Sequence, residues 1–208
     1  MSSTLYLHVG QAGNEIGSAF WRLAAAEKPP KRWLFDERGR ARLVLVDTEP
    51  KVVRGVVRSL GDERVHARCA LVEQSGRGNN WAYGYGVHGQ AAAESVVELI
   101  RREAEHCDRL GGLLLLQSLA GGTGSGVGTF LTEVLRDEYP AATLVNHTVW
   151  PYESGEVIVQ HYNALLTLAK VAQVDGWVGQ LLDALPATAV PTTLVLFSAD
   201  HGEMAAVR

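Results

Sequence analysis

The residues with the clearest chemical potential form one glycine-rich run near the middle of the chain. The run consists of Ala120, Gly121, Gly122, Thr123, Gly124, Ser125 and Gly126. Glycine lets the backbone approach a ligand closely, and successive N–H groups can then converge on an anion. A helix predicted from Val127 adds its positive N-terminal end, and Thr123 and Ser125 add hydroxyl donors. The run therefore predicts a phosphate-binding site that needs no lysine.

Other interpretations of the glycine run fit the sequence less well. A flexible turn rarely places Thr123 and Ser125 between glycines directly after an apolar run such as 113–116. A P-loop is excluded, because no Gly-Lys-Ser or Gly-Lys-Thr follows. A Rossmann dinucleotide fingerprint would follow the first strand and need an acid about 20 residues later. Because this run follows roughly the fourth predicted strand, a Rossmann-type nucleotide-dependent oxidoreductase is a remote alternative.

Alternating strands and helices must position this run. Short apolar runs predict strands, a third one ending near Val72, and longer amphipathic stretches predict helices between them. This alternation predicts an α/β, Rossmann-like fold, with a mainly parallel sheet flanked by helices. The other strands are predicted at 5–9, 43–46, 113–116, 142–149 and 194–197, and the longer helices at 14–27, 93–110, 127–137 and 156–173.

For two of these helices the sequence also predicts a buried face or a helix end. The first has Ile16, Phe20, Leu23 and Ala24 at helical spacing, which is the pattern of a buried apolar face. The helix at 93–110 is followed by Gly111-Gly112. Since glycine commonly follows the last turn of a helix, we expect these two residues to end it.

Composition narrows the classes of function. The 208 residues carry a net charge of −4, without the basic excess typical of nucleic-acid binders. Two isolated cysteines, Cys69 and Cys107, favour a reducing compartment over a disulfide scaffold. Apolar stretches fall short of the roughly 20 residues that a membrane span needs, and the N-terminus lacks the basic start of a signal peptide. We therefore expect neither nucleic acid nor membrane as a partner.

The glycine run matches the signature of the tubulin superfamily, and four further loops resemble tubulin loops in the same order. Within the tubulins, residues 79–85 and 150–160 are most similar to the delta class. The resemblance extends from Leu5 to about Val171. The four loops are Gly10-Gln11-Ala12-Gly13-Asn14, Val46-Asp47-Thr48-Glu49-Pro50, Gly78-Asn79-Asn80-Trp81-Ala82, and Trp150-Pro151-Tyr152 followed by residues 155–160.

The resemblance implies GTP and Mg²⁺ as ligands and assigns a role to each matching position. Asp47 and Glu49, with Gln11, would place Mg²⁺ through water. Asn79 would bind the terminal phosphate, and Glu156 would contact the ribose. The remaining phosphate contacts would come from Gly10, Gln11, Ala12, Ser118 and the run from Ala120 to Gly126.

Simpler roles remain open for several of these side chains. Gln11 also suits a helix cap, and Asp47 and Glu49 also suit a solvated turn. Asn79 is a common turn residue. Glu156 also suits an acidic position at a helix N-terminus.

Some positions depart from the family pattern. Ala120 stands where most tubulins have glycine, and Gln160 where the α and β classes have glutamate. Glu15 replaces the usual glutamine, and its charge should weaken polyphosphate binding.

After about Gln173 we find no counterpart of the segments that recognise guanine and trigger hydrolysis. We therefore expect an incomplete GTP-binding domain at 1–173 and a divergent tail at 174–208.

The resemblance implies a delta-like, GTP-binding cytoskeletal protein of the cytoplasm. It would act in microtubule-based processes at centrioles, basal bodies or cilia, with other tubulin subunits or centriolar and basal-body components as partners. GTPase activity stays open, because hydrolysis in this family is completed across a subunit interface. The alternative is a truncated product that keeps the phosphate cradle but lacks guanine selectivity and GTPase function.

Overall fold

A computed structural model describes residues 2–29, 31–61, 63–65, 70–72, 79–151, 157–184, 194–198 and 204–206. These residues build a seven-stranded sheet of order β3-β2-β1-β4-β5-β6-β7. All neighbouring strands are parallel except β7, which is antiparallel to β6. The predicted α/β class is therefore confirmed. The strands are β1 (Ser2–Val9), β2 (Leu43–Asp47), β3 (Ala70–Val72), β4 (Arg109–Ser118), β5 (Thr143–Val149), β6 (Leu194–Ser198) and β7 (Met204–Ala206).

Helices cover both faces of this sheet. Alternate residues of a strand point to opposite faces, so each central strand feeds two cores. Leu5 and Leu7 of β1 belong to the core under the later helices, whereas Tyr6 packs with Trp21 in the core under the first two helices. The helices are α1 (Gly10–Ala26), α2 (Pro50–Leu60), α3 (Trp81–Tyr83), α4 (Gln90–Ala104), α5 (Gly128–Glu138) and α6 (Gln160–Ala184).

The core-facing side of α1 differs from the prediction. Ile16 and Leu23 are 44% and 73% exposed, and Phe20 is also largely exposed. Ala24 is buried as predicted, and the helix otherwise buries Trp21 and mostly small residues, among them Gly13 and Gly17. A Cβ on Gly13 would lie 2.2 Å from the backbone oxygen of Leu116, so α1 packs too close to β4 for side chains there. Hydrophobic spacing misplaced Ile16, Phe20 and Leu23 because close packing on the sheet requires glycine rather than large apolar residues.

The predicted helix end at Gly111-Gly112 is also wrong. Helix α4 ends at Ala104, and both glycines lie inside β4. Ser3 pairs with Leu110 and Thr4 with Gly112, so Gly111 is the extra residue of a bulge. The helical region begins earlier than predicted, with α3 and a π-helical turn at Gly84–Gly89 leading directly into α4.

The last described elements extend the sheet beyond β5. Helix α6 begins at Gln160, later than the predicted residue 156, and continues past Gln173 to Ala184. The strand predicted at 194–197 is confirmed as β6, parallel to β5. Cys69 lies outside the described residues. In the part of the chain that the structure describes, every helix is too short or too polar to cross a bilayer.

Candidate functional site

The predicted loops leave the sheet at one edge. Strands β2, β1 and β4 are adjacent and parallel, so their C-terminal ends lie side by side. Gly10 follows β1, Thr48 follows β2 and the glycine run follows β4. This edge is where ligands bind in open α/β sheets.

The glycine run is itself the beginning of a helix. Gly122 is already helical, and a π-helical turn at Thr123–Val127 continues into α5, whereas the helix was predicted to start at Val127. The N–H groups of this first turn have no partner within the helix and are available to an anion. Ser125 is buried, and its hydroxyl donates to the carbonyl of Gly121, so Ser125 fixes the loop internally. Ser118 has a similar local role, because its Oγ accepts from the N–H of Ala120 at 3.1 Å.

The first loop lies directly against the glycine run. Gly10 has a φ of +74°, and a Cβ there would lie 2.7 Å from the backbone nitrogen of Gly124. Gln11 is exposed on the first turn of α1, where its Nε2 donates to Glu15 Oε1 at 3.0 Å. Ala12 beside it is partly buried. The structure therefore brings Gly10 to the glycine run and leaves Gln11 facing Glu15.

The second loop reaches the site through Thr48 and Asp47. Thr48 Oγ1 lies 2.8 Å from Thr123 Oγ1, which joins the end of β2 to the glycine run. Asp47 is only 4% exposed, and burial raises the pKa of its carboxyl group. Its Oδ1 accepts from the N–H of Glu49 at 2.9 Å. The Glu49 carboxylate forms an ion pair with Lys51 at 2.9 Å, so a cation already balances its charge.

Asn14 is a site residue to which the sequence gave no role. It is fully buried, and its Nδ2 donates to the carbonyls of Gly10 at 2.9 Å and Val46 at 3.1 Å. The same nitrogen lies 3.4 Å from Asp47 Oδ2. Asn14 therefore ties the first loop to the second and orients the Asp47 carboxylate. Its position in the first tubulin-like loop was the available signal.

The third loop faces the glycine run across a small open space. A Cβ on Gly122 would lie 2.7 Å from the backbone nitrogen of Asn80, so these backbones touch. A Cβ on Gly121 would meet only Asn79 Oδ1, at 3.7 Å. Gly121 and the Asn79 side chain therefore border space that a bound group can enter. Asn79 holds a left-handed φ of 44°, and Asn80 Oδ1 caps α3 by accepting from the N–H of Tyr83 at 3.2 Å.

Helix α6 closes this arrangement through Asn163, a second residue that the sequence left without a role. Its Nδ2 donates to the carbonyls of Asn79 and Ala120, at 2.7 and 2.6 Å. Only its place at the start of a tubulin-like helix could have drawn attention to it. Gly78 and Glu156, which the sequence placed in the third loop and at the ribose, lie outside the described residues.

The resulting edge suits an anion with an accompanying cation. Two helix N-termini, those of α1 and of the turn before α5, meet at Gly10 and Gly124 and direct their positive ends to one region. Mg²⁺ at a phosphate site needs only one or two carboxylates besides phosphate oxygens and water, and Asp47 can supply one. A dedicated protein cage is absent from the described ranges, where no three His, Cys, Asp or Glu side chains cluster as ligands. The donor set therefore fits a magnesium–polyphosphate ligand.

Comparison with known proteins identifies the family of this chain. The family described as Tubulin/FtsZ family, GTPase domain, matches residues 3–178. The tubulin delta chain of Mus musculus is 47% identical over 191 residues, and that of Homo sapiens 37%, each alignment covering 80% of this chain and 42% of the relative. The human tubulin epsilon chain is 32% identical over 199 residues, covering 82% of this chain and 42% of the relative. This chain thus spans about two-fifths of the length of these relatives, and it belongs to the Tubulin/FtsZ family as a delta-like member.

Proposed function

We propose that this chain binds GTP with Mg²⁺ at the edge of the sheet where β2, β1 and β4 end. The observation that carries the proposal is the convergence of separate loops on the glycine run. Gly10 touches Gly124, Thr48 bonds Thr123, and Asn80 touches Gly122. These contacts join loops far apart in sequence around a space bordered by backbone N–H groups.

The individual roles follow from placement and from the family resemblance. The N–H groups of Ala120–Gly126 would hold the α and β phosphates, and the Asn79 amide would reach the terminal phosphate. Asp47 would place Mg²⁺ through water, helped by Glu49 and Gln11. The magnesium ion supplies positive charge that offsets the phosphate oxygens. For Glu156 the ribose contact rests on the resemblance alone.

We further propose a delta-tubulin-like role in the cytoskeleton. Relatives named tubulin delta chain support a microtubule-based process, and the resemblance extends this to centrioles, basal bodies and cilia. Other tubulin subunits or centriolar and basal-body components would be the partners. The GTP-binding domain would comprise residues 1–173, with 174–208 as a divergent tail. Isolation of the full-length product from ciliated cells and microscopy of its location would test this role; absence from basal bodies and cilia would contradict it.

Nucleotide titration tests the binding proposal. Labelled GTP and ATP are titrated against the chain with and without Mg²⁺. We expect Mg²⁺-dependent binding of both, with little preference for GTP, because the loops described above are those assigned to phosphates rather than to the base. Tight binding with a large preference for GTP would contradict this part of the proposal.

A matched pair of variants places the ligand at the glycine run. A Cβ on Gly124 would lie 3.0 Å from both the N and the O of Ser118, so Gly124→Val should abolish binding. Gly55 on α2 has no atom within 4 Å of its Cβ position, so Gly55→Val serves as the control that keeps binding. Unchanged affinity in Gly124→Val, or no binding of either nucleotide by the original chain, would overturn the proposal.

A further inference from the structure

Asn163 forms three hydrogen bonds to the loops of the candidate site, and the sequence predicted none of them. It lies on the first turn of α6 and is only 2% exposed. Its Oδ1 accepts from the N–H of Trp81 at 2.9 Å, and its Nδ2 donates to the carbonyls of Asn79 and Ala120. One side-chain amide therefore binds the third loop at two points and the glycine run at one.

The groups that Asn163 holds are backbone groups of the two segments that border the candidate site. Asn79 has a left-handed φ of 44°, a conformation that costs free energy for a residue other than glycine. Its carbonyl accepts one of the two Asn163 donor hydrogens at 2.7 Å. Ala120 begins the glycine run, which Ser118 and Ser125 bond from within the loop, and Asn163 adds a hydrogen bond from a separate helix. The amide thus links the left-handed residue Asn79 to the start of the glycine run.

We propose that Asn163 is a positioning residue for nucleotide binding, one that fixes the distance between Asn79 and the glycine run. The inference rests on the proposed function, because it assumes that phosphates occupy the space between these two segments. Asn163 would act through backbone carbonyls and would not itself contact the ligand. Its loss should release the third loop first, since two of its three hydrogen bonds go there.

A purely structural role is the competing explanation, and Asn146 provides the matched control. Asn146 is equally buried, on β5, where its Nδ2 donates to Thr132 Oγ1 at 2.9 Å, away from the loops. Asn163→Leu and Asn146→Leu each replace a buried amide by an apolar group with the same number and branching of side-chain heavy atoms, and add no charge. Both should lower stability, but only Asn163→Leu should change the site.

The experiment measures Mg²⁺-dependent affinity for GTP and for GDP in the full chain and in both variants. Asn163→Leu should lose about tenfold or more in GTP affinity, as expected when three hydrogen bonds to the segments that border the site are removed. The loss for GDP should be smaller, because Asn79 is assigned to the terminal phosphate, so the ratio of the two affinities should fall. Asn163→Ser, which keeps one donor, should give an intermediate loss and replaces the leucine variant if that one fails to fold.

Amide hydrogen exchange without nucleotide gives an independent readout. Asn163→Leu should accelerate exchange at 79–81 and 120–124, whereas Asn146→Leu should leave these amides unchanged. If Asn163→Leu keeps the affinity ratio and exchange rates of Asn146→Leu while the original chain binds GTP, only this inference is overturned. If the original chain binds neither nucleotide, the proposed function fails and the inference fails with it.

Discussion

Replacing Gly122 by alanine tests whether the glycine run and the third loop truly touch. Gly122 has an ordinary helical conformation, with φ −79° and ψ −43°, so alanine meets no backbone strain there. Any cost must come from contact. The new Cβ would lie 2.7 Å from the nitrogen of Asn80 and 3.1 Å from its oxygen, and these are backbone atoms that cannot rotate away.

The expected cost follows from two opposing effects. Overpacking of this kind costs about 1–3 kcal/mol. Gly122 precedes the helical turn, so alanine regains less there than the roughly 1 kcal/mol that it gains over glycine in a helix interior. A net loss of roughly 1–2 kcal/mol should lower the Tm by about 2–8 °C for a chain of this size. Urea and thermal unfolding of Gly122→Ala against the original chain measure this difference.

Gly121→Ala is the control in the neighbouring position. Its Cβ would meet only Asn79 Oδ1, at an ordinary contact distance of 3.7 Å, so stability should change by less than about 0.5 kcal/mol. The same Cβ would enter the space proposed for phosphate, so Mg²⁺–GTP affinity should nevertheless fall. If Gly122→Ala proves as stable as Gly121→Ala, the two loops do not pack as described and the reasoning is refuted.

Three further predictions concern stability and charge. Gly55→Ala on the exposed face of α2 should stabilise the chain by about 0.5–1 kcal/mol in urea unfolding, because alanine favours the helix and no atom lies within 4 Å of the new Cβ. A loss of stability would show that glycine is required there. Burial lowers the pKa of His8 to about 3, so the unfolded chain takes up a proton that the folded chain does not, and stability should fall as the pH drops from 6.5 towards 3. His8→Phe should flatten that dependence, and an unchanged slope between pH 7 and 5 would contradict it. Glu15→Gln should raise Mg²⁺–GTP affinity roughly fivefold, because one negative charge beside Gln11 repels a polyphosphate by on the order of 1 kcal/mol. Equal affinities of the variant and the original chain would show that the Glu15 charge does not act on the ligand.

Much of the fold could be predicted because the strands are apolar on both faces. The run at 113–116 lies inside β4, next to β1 at the centre of the sheet, where helices cover both sides. Such strands are recognised from continuous hydrophobic residues alone. The order of strands and helices then places the glycine run at the C-terminal edge of β4 without further information.

The errors arose at glycines whose position depends on a partner segment, as where Gly13 meets the Leu116 backbone and Gly17 the His8 side chain. Gly13 and Gly17 face the sheet from α1, and Gly111 forms a bulge in β4. Local patterns treat glycine as a loop or helix-end signal and large apolar residues as the buried ones. Whether a glycine instead permits a tertiary contact depends on the partner segment, which a local pattern does not contain.

In the candidate site, too, some residues could be predicted from the sequence and others could not. The loop residues that could bind phosphate were identified from the sequence, since glycine and hydroxyl residues after a buried strand have few other uses in this order. Asn14 and Asn163 were missed as site residues because their function is to join loops. Their partners lie up to 84 residues away along the chain, at Asp47 and Asn79, and only the folded structure brings them together.

The most direct test of the central claim is hydrogen exchange of the full chain with and without Mg²⁺–GTP. The account predicts protection in separate segments at once: the amides around Gly10, those of Thr48 and Glu49, those of Asn79 and Asn80, and those of 120–126. ATP at saturating concentration should protect the same segments. Protection confined to other parts of the chain, or none at a concentration that saturates binding, would contradict the claim that these loops form one phosphate-binding site.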